Sequence, residues 1–166
     1  MEFLILTAGR TNEVIKADWQ EIDLSDATWT VPATRMKRKV AHRVPLSLRT
    51  LELLEAIRPV TGGTGLMFPG DKAGEPLSDA ALLKTLNRIA PEYTVHGFRS
   101  SFRDWAAERT NVVREVCEQA LAHGLSDKAE AAYNRSDLFE KRRDLMARWD
   151  RFLNPPEANV VSLKAN

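Results

Sequence analysis

The 166 residues, 43% apolar and 28% charged, are enough for one folded domain with a buried core and exclude a disordered or fibrous chain. No apolar run can span a bilayer, the apolar start has no signal-peptide features, and the lone Cys117 excludes an internal disulfide and a cysteine-based zinc site, so a cytoplasmic protein without a membrane partner is expected. The net charge of +1 speaks weakly against a nucleic-acid partner, but residues 35–43 hold five basic side chains, one histidine and no acid, so one face can still be basic.

Residues 1–17 read as one helix. Its apolar run Phe3-Leu4-Ile5-Leu6 starts with no cap, from which the front of the domain is expected to lie upstream. Short strands are expected at 21–24, 28–31 and 42–46, with Trp29 and Val31 on one face and Pro45 marking an edge. Together they make a small antiparallel sheet. Ser47 caps a helix to about Arg58 with Leu48, Leu51, Leu54 and Ile57 inside, and residues 59–65 form a loop. Ser78 caps another helix, with Leu82, Leu83, Leu86 and Ile89 as its apolar face. Further helices follow at 96–109, at 112–122 with Val113, Val116, Cys117 and Ala120 inward, at 127–134, and at 137–153 with Leu138, Leu145, Trp149 and Phe152 on one stripe. The last carries a second basic cluster, Lys141-Arg142-Arg143, and Pro155-Pro156 ends it in a loose tail.

Four motifs bear chemistry, and each has a plain alternative. Arg10 and Glu13, three apart, share a helix face; a guanidinium held by a carboxylate is a fork aimed at phosphate, or a surface ion pair. His96 and Arg99 share a face at a helix start, where amides favour an anion, or His96 simply caps the helix. His123 precedes Tyr133 by ten residues, and that tyrosine is either a nucleophile or a core residue among alanines. The stretch Arg35-Met36-Lys37-Arg38-Lys39 is either a catalytic hairpin or a solvated basic one.

The order of these motifs, Arg-x-x-Glu, a hairpin lysine, His-x-x-Arg, a second histidine and then a tyrosine, resembles the active-site order of the tyrosine recombinases. Arg43-Val44-Pro45-Leu46-Ser47, His96-Gly97-Phe98-Arg99, Leu121-Ala122-His123 and Glu130-Ala131-Ala132-Tyr133 resemble phrases of integrases from phages and genomic islands. The resemblance runs from Leu4 to about Leu153. It implies an α+β fold, a mostly helical catalytic domain with a small three-stranded antiparallel sheet near the N-terminus, as in type IB topoisomerases. That domain would span 1–153, with 154–166 a flexible tail and with the front of the domain and the core-binding domain missing. DNA binding by this chain alone is then expected to be weak and unspecific.

The resemblance also implies roles. Tyr133 attacks a DNA phosphodiester, leaving a 3′-phosphotyrosine and a free 5′-hydroxyl, and needs no metal or other cofactor. Arg10 and Arg99 clamp the non-bridging oxygens, with Glu13 positioning Arg10. Lys37 protonates the leaving 5′-oxygen, with Lys39 the alternative. His96 accepts or shares the tyrosine proton, and His123 donates a hydrogen bond to the phosphate. Arg38, Lys39, Arg43 and Arg135 meet DNA phosphates, while His42 has no role in the pattern and is expected on the strand surface or at the DNA backbone. The partner is double-stranded DNA at attachment sites, bound as a homotetramer on synapsed duplexes, with the last helix packing either on a neighbour or in its own core. The competing readings are a catalytically silent DNA-binding or interaction module and a type IB topoisomerase. A metal-dependent nuclease finds no carboxylate cluster to support it.

Overall fold

Two short helices open the chain where one was expected. The computed structural model describes residues 1–123 and 137–155. α1 (Glu2–Thr7) ends at Ala8, whose backbone is left-handed at φ 48°, and the amides of Ala8 and Gly9 close on the carbonyls of Ile5 and Leu4 at 3.2 Å. A side chain at position 9 would collide with the next helix, since a Cβ there would stand 2.8 Å from Val14 Cγ2. The chain restarts as α2 (Thr11–Ile15), with Arg10 extended as its N-cap. The single helix over 1–17 is thus corrected to a break at residues 8–10. The apolar residues on either side of it are buried all the same.

β1 (Ile22–Asp23), β2 (Thr28–Val31) and β3 (His42–Pro45) form an antiparallel sheet in the order β1-β2-β3. Trp29 pairs with Ile22 on one side and Val44 on the other, and both Trp29 and Val31 are fully buried. Pro45 lies on an edge strand, where its missing N–H costs no ladder bond. α3 (Leu48–Thr61) starts at Ser47, whose hydroxyl accepts from the Thr50 amide. It runs through Pro59 and stops at Gly62 (φ 78°), so the expected loop begins later than residue 59. The carbonyl that Pro59 cannot serve belongs to Glu55, an exposed residue.

α4 (Asp79–Ile89), α5 (Gly97–Arg109), α6 (Arg114–Ala120) and α7 (Phe139–Leu153) complete the described residues. Their buried stripes are narrower than their sequences imply. Leu82 and Leu86 are buried while Leu83 and Ile89 face out, Val113 is an exposed N-cap, and Leu48 is exposed at the start of α3. The helix expected at 127–134 and most of the expected tail lie outside the described residues.

Two apolar cores meet across α1. One packs Phe3, Leu4 and Val14 with Trp29, Val31, Val44, Leu54 and Met67. The other packs Ala8 with Phe102, Trp105, Val116, Leu121, Leu145 and Trp149. Ile5 touches both, and its carbonyl accepts from Trp149 Nε1 at 2.9 Å. α7 therefore packs on this chain's own α1, α3, α6 and β3. No helix among the described residues is long and apolar enough to cross a membrane.

Candidate active site

The break after α1 places a charged cluster at the junction of three segments far apart in sequence. Glu13, third residue after the Arg10 cap, turns back so that Oε2 accepts from the Arg10 amide at 3.0 Å and Oε1 from Arg10 Nη1 at 2.6 Å. The rest of the Arg10 fork reaches the carbonyl of Leu121 at 3.3 Å. Leu121 closes α6, so its carbonyl has no partner within the helix.

Arg99 shares that acceptor. It sits in the first turn of α5, 6% exposed, with Nη2 2.7 Å from the Leu121 carbonyl and Nη1 donating to the Ala8 carbonyl. Burial, and then the charge of Arg10, bring its pKa down to about 10, with Glu13 acting the other way. It stays cationic at neutral pH. Two guanidiniums converging on one carbonyl, with one carboxylate between them, leave an excess of positive charge and a preference for an incoming anion.

His123 stands beside Arg99, Nε2 lying 3.4 Å from Nη2. Its Nδ1 is 2.7 Å from Glu118 Oε2, and the other oxygen of Glu118 accepts from Arg103 Nε at 3.0 Å. Burial would raise the Glu118 carboxyl, but the bonds from His123 and Arg103 outweigh it and hold the pKa below the usual range.

The hairpin loop between β2 and β3 is anchored before it becomes exposed. Arg35 donates Nε to Glu21 Oε1 at 3.1 Å, Nη2 to Glu21 Oε2, and Nη1 to the Glu13 carbonyl at 2.9 Å. Glu21 also accepts from Trp29 Nε1 at 2.9 Å, and Met36 is buried in the first core. Past that anchor Lys37, Arg38 and Lys39 are exposed, and Lys39 turns the chain at φ 55°. Lys37 lines two adjoining clefts. One, of about 500 Å³, also meets Arg10, Glu13, Lys39 and His96; the other, of about 260 Å³, meets Arg10, Arg38 and His123. His96, the N-cap of α5, is exposed and makes no capping hydrogen bond with its side chain.

Arg10, Glu13, Lys37, His96, Arg99 and His123 are thus brought together, with Arg38 and Lys39 at the rim. Arg43 lines a neighbouring cleft that Arg38 and His123 also line, but it is paired with Asp26 and Asp137 and lies 3.7 Å over the Phe139 ring. Tyr133 and Arg135 lie outside the described residues. His42 is half-buried rather than on the open strand surface, and burial followed by the charge of Arg142 lowers its pKa to about 4. It is therefore neutral at pH 7 and offers no charge to a phosphate. Two of the three basic residues at 141–143 are spent internally: Arg142 is buried, bonded to Asp137 and to the Arg43 carbonyl, and Arg143 pairs with Asp26, while Lys141 is exposed.

Sequence reasoning missed Arg35, Glu118 and Arg142. Arg35 sat inside a charge run that reads as solvated. Glu118 could have been noticed only as an acid one and a half turns before His123. Among the described residues, no group of three His, Cys, Asp or Glu side chains is placed to hold a metal ion.

A mostly helical fold with a three-stranded sheet and this cationic junction defines an integrase-like architecture. An integrase from mycobacterium phage Brujita has the same fold, with a TM-score of 0.69 at 21% identity over 90% of this chain and 50% of that one. Residues 1–138 match the phage integrase family, and the chain belongs to that family. Prophage integrase IntA of Escherichia coli K12 is 34% identical over 96% of this chain and 39% of its own length, and IntZ of the same strain 37% identical over 88% and 37%. The integrase of Enterobacteria phage P4 is 29% identical over 96% and 40%. The chain spans about two fifths of the length of these relatives.

Proposed function

We propose that residues 1–153 form the catalytic domain of a site-specific DNA recombinase, cytoplasmic and metal-independent, that cuts and rejoins strands through a tyrosine. The observation that carries the reading is the convergence of Arg10 and Arg99 on the Leu121 carbonyl, with His123 beside Arg99 and with Lys37 and His96 lining the cleft beside Arg10. Those side chains come from four separate segments and share no packing need for positive charge. A phosphodiester supplies the missing anion.

In this reading the Tyr133 hydroxyl, a weak nucleophile while it keeps its proton, gives that proton towards His96 and attacks phosphorus. Negative charge grows on the non-bridging oxygens in front of Arg10 and Arg99 and is stabilised there. The bond to the 5′-oxygen breaks as Lys37 donates a proton to it, leaving a 3′-phosphotyrosine and a 5′-hydroxyl. Attack by a 5′-hydroxyl from another strand returns each proton and reseals the backbone. Arg38 and Lys39 meet flanking phosphates without reading sequence. Exchange between two duplexes calls for four active sites, hence a homotetramer on DNA.

The test is a nicked suicide duplex with randomised arms, so that no attachment site is assumed. A covalent adduct of protein and DNA is expected, resistant to denaturant and absent for Tyr133→Phe. Failure of adduct formation both by this chain and by the same chain joined to a DNA-binding domain would favour a silent module.

A further inference from the structure

Glu118 has no place in the chemistry above, yet it is a nearly buried carboxylate that contacts the histidine of the site. We propose that Glu118 is a positioning residue for His123: it takes the Nδ1–H, fixes the ring with Nε2 towards Arg99, and supplies the negative charge that lets the ring carry a second proton when a phosphate arrives. The inference rests on the recombinase reading for its catalytic consequence, but not for the geometry.

The geometry is specific. Glu118 Oε2 lies 2.7 Å from His123 Nδ1, while His123 Nε2 lies 3.4 Å from Arg99 Nη2. The backbone reinforces the pair, since the His123 amide donates to the Glu118 carbonyl at 2.8 Å and Ala122 between them adopts φ 50°. A neutral imidazole has one N–H. If Glu118 holds it at Nδ1, Nε2 is a bare acceptor that suits the Arg99 donor. A phosphate oxygen arriving at Nε2 needs a donor, so the ring must hold a second proton, taken up from solvent as the anion binds. The carboxylate one ring-width away offsets that charge, as the acid of a catalytic triad does for its imidazolium. Arg103 holds the opposite oxygen of Glu118, with Nε at 3.0 Å and Nη2 at 2.9 Å, and Arg114 approaches at 3.9 Å. They keep the carboxylate ionised and aimed.

The plainer role is that of a staple, the Arg103–Glu118 bridge joining α5 to α6. Three variants separate the two roles, namely Glu118→Leu, Glu118→Gln and Arg103→Gln, each checked for folding by thermal unfolding. The first readout is the tautomer of His123 by long-range ¹H–¹⁵N NMR at alkaline pH, tractable with three histidines in the chain. The wild type and Arg103→Gln should show the Nδ1–H form. Glu118→Leu should lose it, and Glu118→Gln, whose amide oxygen still accepts, should keep it. The second readout is the rate of adduct formation on the nicked duplex. Glu118→Leu should slow it roughly 10- to 100-fold with DNA affinity unchanged, as is usual for groups that orient a working imidazole. Gln should recover part of the loss, and Arg103→Gln should cost much less. An Nε2–H tautomer in the wild type, or a tautomer indifferent to Glu118→Leu, overturns the proposal. So does an Arg103→Gln loss equal to that of Glu118→Leu, which is the staple's signature. If the wild type forms no adduct either alone or joined to a DNA-binding domain, the recombinase reading fails, and the tautomer alone decides whether Glu118 positions His123.

Discussion

Arg99 combines three unfavourable conditions: it is charged, buried and beside another guanidinium. Its two carbonyl partners, Ala8 and Leu121, both lie at helix ends whose backbone needs donors, and that satisfies the burial. A lysine has three donors on one atom and cannot span both carbonyls while leaving a face for an anion. Arg99→Lys is therefore expected to cut adduct formation by roughly 10²–10³, measured by single-turnover kinetics on the nicked duplex. His42 gives a pH prediction. Its pKa of about 4 when folded lies below the ordinary histidine value, so between those pH values the unfolded chain binds a proton that the native one does not. Stability should be full above about pH 6.5 and fall as the pH drops towards 4, losing roughly 3 kcal/mol from this residue. Denaturant titrations of the wild type and His42→Gln should show that slope only in the wild type. Residue identities such as Arg10, His96, Arg99 and His123 were legible because their chemistry is unusual and their order is fixed along the chain. Which of two cationic side chains is free was not legible. Arg142 and Arg38 look alike in sequence, and only folding shows that one is buried against Asp137 and the other exposed.

At the scale of elements, the site depends on two interruptions. The first is the break at residues 8–10, which turns Arg10 from a mid-helix residue into a cap facing the end of α6. Sequence periodicity favours continuity here, since the apolar spacing on both sides suits one helix; Gly9 lets the chain pass close to Val14 at the break, and what the break gains is tertiary, the reach of Arg10 to the Leu121 carbonyl 111 residues away. The second is the hairpin, pinned by Arg35 to Glu21 and to the Glu13 carbonyl before it frees Lys37. Glu21→Ala would leave the Trp29 indole N–H without its acceptor and Arg35, both largely enclosed, with the Glu13 carbonyl but no carboxylate. A loss of about 3 kcal/mol is expected in urea unfolding, because an uncompensated buried charge costs more than the bridge itself contributes. The pairing of the three strands was readable from alternation and the edge proline. The anchoring of the loop between them was not, because Glu21 and Arg35 stand fourteen residues apart with no periodic relation.

At the scale of the molecule, α7 links the second core to α1 through Trp149, whose ring packs on Phe102 and Trp105 and whose indole N–H bonds the Ile5 carbonyl. Trp149→Ala should cost roughly 3–5 kcal/mol, read by thermal or urea unfolding. The net charge of +1 gave little sign of a DNA partner because so many arginines are neutralised by neighbouring acids. Replacing Arg38 or Lys39 with Gln should therefore lower the salt dependence of DNA binding by roughly one phosphate contact each, whereas Arg143→Gln should leave it unchanged. The central claim is that this assembly of charges serves a tyrosine that joins itself to DNA. Its most direct measurement is mass spectrometry of the protein after incubation with the nicked suicide duplex. The account predicts a nucleotide adduct on the peptide containing Tyr133, lost in Tyr133→Phe and strongly reduced in Arg10→Ala. An adduct at any other residue, or an unchanged yield in Tyr133→Phe, would contradict it.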